Sequence, residues 1–165
     1  MRLSLVGIGR VEGDTLEWLC GALSEVLGWR CRLEEGMEVC PGYNPLRGQY
    51  SAEVVLWTLS RRHTGRVLGV VSEDIYAEPM NFVFGLAELR GRAAVVSTFR
   101  LRHPERRRFR ERLLKEALHE LGHTLGMRHC TSPCVMSFSN SLAEVDEKST
   151  EFCQEHLRML RKSRG

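Results

Sequence analysis

The sequence lacks any uncharged apolar run that approaches the roughly 18 residues of a membrane-spanning helix. It also lacks repeats, linkers and low-complexity segments. A secretory signal is not predicted, because the first apolar stretch ends at Gly7 and Arg10, Glu12 and Asp14 follow it directly. An N-terminal pro-segment is not expected either, since the first predicted strand starts at residue 2. These absences argue against a membrane protein and predict a soluble protein of the cytoplasm.

Lysine is scarce. The 24 basic residues include three lysines, Lys115, Lys148 and Lys162, and the other 21 are arginine, while the formal net charge is +3. Hydrophobic residues make up 42% and charged residues 27%, a balance that excludes a disordered chain. A chain of 165 residues suits one domain that buries roughly 70% of its unfolded surface, so its core needs no disulfide. We expect a monomer.

The hydrophobic pattern predicts an α/β (α+β) fold with strands and helices alternating in the first half. Apolar runs and period-two alternation predict strands at 2–8, 29–34, 67–75, 81–89 and 93–99. Helical spacing predicts helices at 13–28 and 50–62, then a long helix at 105–125 and a C-terminal helix at 141–162. We therefore expect a mixed, twisted sheet of about five strands with helices on one side.

The six cysteines stand at 20, 31, 40, 130, 134 and 153. In a reducing compartment such a set is expected to be free or metal-bound rather than disulfide-linked. Cys20 falls in an apolar helical stripe and Cys31 on the inward face of a strand, so both are interpreted as small core residues. Cys40 lies in a loop and is assigned no role, and His63 and His103 are interpreted as surface histidines.

Residues 119–129 read His-Glu-Leu-Gly-His-Thr-Leu-Gly-Met-Arg-His. On a helix, His119 and His123 lie one turn apart and roughly 40° around the axis, so both imidazoles can reach one cation. Glu120 lies roughly 100° from His119, beside the metal rather than on it. Leucines and alanines cover the opposite face of the helix. The pattern predicts an apolar back against the core and a front that carries metal ligands.

Gly126 tolerates a positive φ, so it can end this helix and turn the chain sharply. The turn allows His129 to return as a third ligand. Three neutral imidazoles with an open fourth position make a catalytic zinc site. Zinc acidifies a water molecule and polarises a carbonyl, and Glu120 is placed to take the proton of that water and pass it to a leaving amine.

His-Glu-x-x-His-x-x-Gly-x-x-His followed by a methionine is the metzincin signature. More narrowly, the run HCTSPCVM at 129–136 and the later cysteine motif resemble the archaemetzincins. The resemblance implies one metzincin-like catalytic domain over 1–165 that cleaves peptide or protein substrates. Its N-terminal subdomain, 1–126, would hold the sheet and the active-site helix. Its C-terminal subdomain, 127–165, would hold a structural zinc and a methionine turn at Met136.

In archaemetzincins four cysteines hold the structural zinc, and this chain departs from that pattern twice. Cys130 and Cys134 are separated by three residues rather than four, and the final motif is Cys153-Gln-Glu-His156. Three cysteines and one histidine also form a closed zinc set. We therefore expect two zinc ions, the second on Cys130, Cys134, Cys153 and His156. The alternative is three buried thiols and a surface histidine.

The expected second zinc has a functional interpretation. His129 and Cys130 are adjacent, so they would bind different metals from one short backbone segment. A closed zinc there would hold the loop that delivers His129, and the structural metal would preorganise the catalytic one.

Two other functions stay open at this point. The first is a two-zinc binding module without turnover, and Glu120 discriminates against it because pure binding has no use for that carboxylate. The second is a nucleic-acid-binding zinc protein that uses the seven arginines between Arg100 and Arg112. That function is not favoured, since the aromatic residues near this run are Phe99 and Phe109. Cations at a helix start oppose the helix dipole, so we expect carboxylate partners for them.

Two weaker patterns complete the sequence analysis. The glycine-rich segment 7–13 resembles a dinucleotide-binding loop, but its third glycine is one residue late and Glu12 would repel a pyrophosphate. A tight strand-to-helix turn is favoured there. By resemblance to metzincins, the strand within 82–89 is expected to form the edge that pairs with an extended substrate.

Overall fold

The computed structural model describes residues 1–164. Its strands are β1 (Arg2–Ile8), β2 (Arg30–Leu33), β3 (Tyr43–Asn44), β4 (Gln49–Ser51), β5 (Val67–Val71), β6 (Ile75–Tyr76), β7 (Gly85–Ala87) and β8 (Ala93–Ser97). Its helices are α1 (Gly13–Leu27), α2 (Ala52–Arg62), α3 (Arg106–Thr124), α4 (Leu142–Glu147) and α5 (Gln154–Arg164). Within the described range, no helix is both long and apolar enough to cross a membrane.

A five-stranded sheet in the order β2-β1-β5-β8-β7 forms the centre of the molecule. The strands β2, β1, β5 and β8 run parallel, and β7 pairs antiparallel to β8 at one edge. Every residue of β5 and β8 is buried, as expected of parallel strands covered on both faces. The prediction of a mixed sheet of about five strands is confirmed. A second sheet, β3-β4-β6, was not predicted, because its strands are only two or three residues long.

Helices cover both faces of the main sheet, so the expectation of helices on one side is wrong. Leu68 and Val70 of β5 pack with α1 and α3, whereas Val67 and Val71 pack with α2. The physical reason lies in the strand order. From β1 the chain moves through α1 to β2 on one side and later through α2 to β5 on the other. Right-handed crossovers in opposite directions place their helices on opposite faces.

The predicted C-terminal helix at 141–162 is interrupted. Ser141 caps α4 by accepting the N–H of Glu144, and the chain becomes extended at Lys148 before α5 starts at Gln154. In the interruption, the carbonyl of Glu151 accepts the N–H of Val135 at 2.8 Å. This contact places 151–153 beside the segment that contains Cys134. Tertiary pairing therefore overrides the helical periodicity of this part of the sequence.

Cys20 and Cys31 form a disulfide that joins α1 to β2, with their Cα atoms 5.6 Å apart. The prediction that they are two separate core thiols is wrong. Gly28 ends α1 in the left-handed conformation, so β2 turns back directly against the helix. That packing places two residues eleven positions apart within bonding distance. The apolar stripe of α1 and the alternation of β2 do not show this proximity.

The other unassigned residues are quickly placed. Cys40 is buried, and burial raises the pKa of its thiol to about 12. His63 and His103 are half-buried rather than fully exposed. The Nδ1 of His103 accepts the N–H of Glu105 at 3.0 Å, just ahead of α3. The glycine-rich segment 7–13 forms the turn between β1 and α1, as predicted.

Helix α3 is held by α4 through its charged side chains. The guanidinium of Arg112 donates two hydrogen bonds to the carboxylate of Asp146, at 2.8 and 2.9 Å. This pairing holds the pKa of Asp146 below its ordinary value. The ammonium of Lys115 donates to the carbonyl oxygens of Val145 and Asp146, at 3.0 and 3.1 Å. The contacts fix α4 against the middle of the histidine-bearing helix.

A second buried pair lies one turn before Glu120. The ammonium of Lys148 is 3.0 Å from a carboxylate oxygen of Glu116, and the two side chains are only 4% and 5% exposed. Lys148 also donates to the carbonyl of Ser137 at 3.2 Å. Burial raises the pKa of Glu116, and the nearby ammonium opposes that rise. The pair connects α3, the end of α4 and the loop after Met136.

Replacing Lys148 alone is expected to destabilise the protein by about 3 kcal/mol, because Lys148→Met leaves the Glu116 charge buried without a partner. The double variant Glu116→Gln with Lys148→Met is expected to be more stable than Lys148→Met. Denaturant unfolding of the zinc-loaded proteins measures both. Arg107→Met is the control, since it breaks an exposed pair with Glu111 that is worth at most about 1 kcal/mol. Equal losses in the single and double variants would contradict the coupling.

Candidate metal centres

Helix α3 presents His119 and His123 on one side, with their Nε2 atoms 3.1 Å apart. The other ring nitrogen of each histidine faces a backbone carbonyl. The Nδ1 of His119 is 3.0 Å from the oxygen of Val135, and the Nδ1 of His123 is 2.7 Å from that of Met127. A carbonyl can only accept, so Nδ1 carries the proton and Nε2 is left as the lone-pair donor. Carbonyl partners of this kind orient metal-binding histidines.

Gly126 provides the predicted turn. Its φ is +90°, its N–H donates to the carbonyl of His123, and the N–H of Met127 donates to that of Gly122. This is a Schellman ending with glycine in the left-handed position. A Cβ at this glycine would also lie 3.0 Å from the Arg90 side chain. The turn redirects the chain towards the histidines on α3.

The redirected chain brings His129 to the other two histidines, as the sequence predicts. Its ring centre lies 5.2 Å from that of His119 and 5.0 Å from that of His123. The donor atoms of the three residues lie within 4.8 Å of one another. Burial lowers the pKa of all three imidazoles, that of His119 to about 2, so they are neutral at physiological pH. Neutral imidazoles are the form that binds zinc.

The nitrogen spacing suits a zinc ion. Tetrahedral zinc with bonds of about 2.0–2.1 Å to nitrogen sets its nitrogen ligands about 3.3 Å apart. The 3.1 Å between the Nε2 atoms of His119 and His123 is close to that value. Three imidazoles leave one position of a tetrahedron open, which is the arrangement of catalytic zinc sites.

Glu120 is buried beside these histidines, with its Oε1 3.9 Å from the Nε2 of His119. Its Oε2 has no hydrogen-bond partner among residues 1–164. Burial raises the pKa of this carboxyl well above its ordinary value, and the nearby Glu116 raises it further. A buried carboxyl with an unpartnered oxygen is costly to a fold and is commonly kept for chemistry.

Two glycines create space for this site, and sequence reasoning missed both. A Cβ on Gly85 of β7 would lie 2.7 Å from Cγ of Glu120 and 2.6 Å from the carbonyl of Val95. A Cβ on Gly122 would collide with the sulfur of Met136. Met136 therefore packs directly against α3 at Gly122, which lies between His119 and His123 in the chain. Gly122 lies inside the histidine motif, and a glycine at that helical position could have indicated that another side chain packs closely against the helix.

The second group consists of Cys130, Cys134, Cys153 and His156, whose donor atoms also lie within 4.8 Å of one another. The sulfurs of Cys130 and Cys153 are 3.9 Å apart. The Nδ1 of His156 lies 3.3 Å from the sulfur of Cys134 and 3.5 Å from that of Cys153. Tetrahedral zinc with bonds of about 2.3 Å to sulfur and 2.0–2.1 Å to nitrogen gives edges of about 3.5–3.8 Å. The four residues therefore fit a closed zinc set, and the alternative of a surface histidine is wrong because His156 is buried.

The route by which His156 reaches this group differs from the prediction. The predicted helix at 141–162 contains both Cys153 and His156, but in the structure Cys153 precedes α5 and its carbonyl accepts the N–H of Leu157 at 2.8 Å. Cys153 is thus the N-cap residue of α5. The side chain of an N-cap residue points to the third residue of the helix, which here is His156. Backbone N–H groups of Met136 and Cys153 approach the sulfur of Cys134 at 3.4 and 3.3 Å.

A cavity of about 400 Å³ opens in front of the three histidines. Its lining includes β7, the segment that leads into β7, and residues 138–140. The lining includes seven large apolar side chains: Met80, Phe82, Val83, Phe84, Leu86, Leu89 and Phe138. The predicted strand at 81–89 is shorter than expected, since β7 covers Gly85–Ala87, but it does form the sheet edge beside the histidines.

Comparisons with known proteins agree with this geometry. A family described as Peptidase family M54 matches residues 40–162. The archaemetzincin of Archaeoglobus fulgidus is 43% identical over 146 residues, which cover 88% of this chain and 90% of that protein. Among solved structures, the archaemetzincin of Methanopyrus kandleri has a TM-score of 0.88 and 44% identity, covering 98% of this chain and 94% of its own.

A third comparison is with a structure described as a zinc-dependent peptidase from Methanocorpusculum labreanum. It has a TM-score of 0.89 and 28% identity, and the match covers 96% of this chain and 99% of that one. The family match and these relatives span most of the chain, and the family match includes both groups of candidate metal ligands. The chain therefore belongs to peptidase family M54, the archaemetzincins.

Proposed function

We propose that this zinc metalloprotease hydrolyses peptide bonds with one zinc ion held by His119, His123 and His129, and with Glu120 as its general base and acid. The observation that carries the proposal is the arrangement of Glu120. Its buried carboxyl has an oxygen without a partner in the described part of the chain and stands beside three imidazoles whose donor atoms lie within 4.8 Å of one another. A cavity of peptide-binding size opens directly in front.

When bound, zinc lowers the pKa of a water molecule and polarises the carbonyl of the scissile bond. Glu120 accepts a proton from the attacking water and then donates it to the nitrogen of the leaving amine. Burial favours the accepting step, because a raised pKa makes the Glu120 carboxylate a stronger base towards the water proton. The carbonyls of Val135 and Met127 keep the histidine rings in place during these transfers.

The substrate in this proposal is an extended peptide or a protein segment that pairs with β7. This strand ends the sheet order, so one of its backbone edges is not used by the main sheet. An extended peptide can add to such an edge through main-chain hydrogen bonds. The apolar walls of the cavity then receive a side chain of the peptide.

A second zinc ion, on Cys130, Cys134, Cys153 and His156, is part of the proposal and has a structural role. Its four ligands leave no open position. It connects the loop that carries His129 to the start of α5. The 1–126 and 127–165 subdomains then work as one catalytic domain, which we propose is a monomer of the cytoplasm.

The two alternative functions are supported less well. A two-zinc binding module gains nothing from Glu120, whose buried oxygen would be an uncompensated cost. Nucleic-acid binding by the arginine run is disfavoured because four of its seven arginines pair with carboxylates, as the helix dipole predicts: Arg100, Arg107, Arg108 and Arg112.

Glu120→Gln is expected to lower peptide cleavage by about 10²–10⁴-fold, because the substitution removes the proton acceptor and keeps the shape of the side chain. Zinc content is expected to stay the same. A peptide-library cleavage assay and metal analysis of both proteins check the two statements. Cleavage that survives in the variant would refute the assigned role of Glu120.

Gly85→Ala is expected to reduce kcat strongly while zinc content is unchanged, because the new Cβ displaces the Glu120 side chain. The new Cβ would lie between Glu120 and the carbonyl of Val95, so it cannot move away from one without approaching the other. The matched control is Gly21→Ala on α1, where a Cβ meets no atom within 4 Å. An active Gly85→Ala enzyme would show that the position of Glu120 is not critical.

Cys153→Ser is expected to remove one zinc per chain and to weaken zinc retention at the histidine site, because the loop delivering His129 loses its anchor. His156→Cys is expected to retain both ions, since it keeps four donors. Competition with a graded chelator, followed by metal analysis, measures retention. Cys40→Ser is the control, as Cys40 lies outside both groups. Full activity of Cys153→Ser with one zinc fewer would contradict the coupling.

A further inference from the structure

A second cavity, of about 460 Å³, lies at the opposite end of α3 from the histidines. It opens where the chain leaves β1 and β8, and the first turns of α1 and α3 wall it. Thirteen residues of helix separate Arg106 from His119, a distance of about 20 Å. The cavity is therefore distinct from the peptidase cleft.

The arginines around α3 divide into two groups. Four of the seven in the run have carboxylate partners, as described above. The other three, Arg102, Arg106 and Arg110, line this cavity together with Arg10 from the turn after β1. Within residues 1–164, none of these four guanidinium groups lies within 4.0 Å of a carboxylate oxygen. Within the run 100–112, the three arginines without acidic partners are thus those that face this cavity.

The local electrostatics favour an anion in this space. Four arginines face it against two carboxylates, Glu12 and Asp14. The α3 helix has no acidic residue in its first turn and no side-chain cap, whereas the first turn of α1 carries Asp14. The positive end of α3 therefore adds to the charge of the arginines. A bound anion would relieve this repulsion.

The cavity has a fixed frame. Ser72, buried just after β5, accepts the N–H of Arg10 at 2.9 Å and its carbonyl accepts the guanidinium of Arg102 at 3.0 Å. Ser72 thus connects the segment after β1 to the segment after β8, because β5 lies between these two strands. Gly9 has a φ of +83°, and a Cβ there would collide with the Ser72 hydroxyl. The glycine-rich turn at 7–13 is thus needed for this close approach.

Aromatic rings hold two of the guanidinium groups without neutralising them. Arg102 lies 5.0 Å from the ring centre of Phe99, and Arg110 lies 5.0 Å from that of Trp18. Such stacking orients an arginine while leaving N–H donors for a ligand. The position at the carboxyl ends of parallel strands, beside two helix starts, is also where α/β sheets commonly bind phosphate groups.

We propose that this cavity binds a small organic phosphate, with the phosphate on the arginines and hydroxyl groups of the organic part donating to Glu12 and Asp14. Guanidinium groups match the geometry and double charge of a phosphate monoester. The two carboxylates would repel a bare polyphosphate, and they suit a hydroxylated molecule instead. The volume is within the usual range for small-molecule sites.

Calorimetric titration of the zinc-loaded protein with ribose 5-phosphate tests the proposal, with ribose as the uncharged comparison. We expect one site for ribose 5-phosphate and none for ribose. Arg106→Gln and Arg110→Gln should each weaken binding about tenfold. Arg107→Gln is the matched control, because it removes the same charge from the same turn of α3 at a residue that faces solvent and pairs with Glu111.

Three outcomes would overturn the proposal. Equal weakening by Arg107→Gln would show a diffuse charge effect rather than a site. Loss of binding after the histidine-bound zinc is removed, with the arginine variants unchanged, would place the phosphate at the catalytic metal. Displacement by random duplex DNA with a steep salt dependence would identify a nucleic-acid surface instead. Glu12→Gln tests the hydroxyl contact apart from the phosphate contact. It should change the affinity for ribose 5-phosphate more than the affinity for inorganic phosphate.

Discussion

The burial of the second half of α3 is the constraint on which the rest of the structure depends. From Arg112 onward this helix buries charged and polar side chains, and each needs a partner inside the protein. The partners come from the C-terminal third of the chain: the carboxylate of Asp146, the ammonium of Lys148 and the carbonyl of Val135. On α3, Arg112 and Glu116 are held by ion pairs, and His119 is held by a hydrogen bond. The Nε2 atoms of the histidines and one oxygen of Glu120 are then left facing the cleft, which is why the chemistry is concentrated there.

The two candidate metal sites share one short piece of backbone. His129 and Cys130 are neighbours, and Cys134, Val135 and Met136 each serve a different part of the same region. The sulfur of Cys134 belongs to the closed site, the carbonyl of Val135 holds the ring of His119, and Met136 packs under Gly122. Whatever orders the closed site therefore orders the surroundings of the open one. This gives a physical basis for the different roles proposed for the two sites.

The prediction from sequence was strongest where local spacing decides the geometry. One helical turn separates His119 from His123, and a glycine must follow before His129 can return, so local spacing predicts that these three histidines come together. Prediction failed where distant segments meet. Lys148 was counted as one of three lysines, and its burial against Glu116 depends on the interruption between α4 and α5. Gly85 lies 35 residues before Glu120, and its role follows from the pairing of β7 with β8.

The sequence by itself determined the motif, the zinc-binding residue types and the mixed sheet, because these depend on helical and strand periodicity and on ligand chemistry. Only the tertiary structure decided that helices cover both faces of the sheet, that Cys20 pairs with Cys31, and that the predicted C-terminal helix is broken so that Cys153 stands ahead of α5. It also decided which arginines are paired and which face an open cavity. These features depend on contacts between residues far apart in the chain. Burial and the handedness of the crossovers decide these contacts, and a short stretch of sequence shows neither.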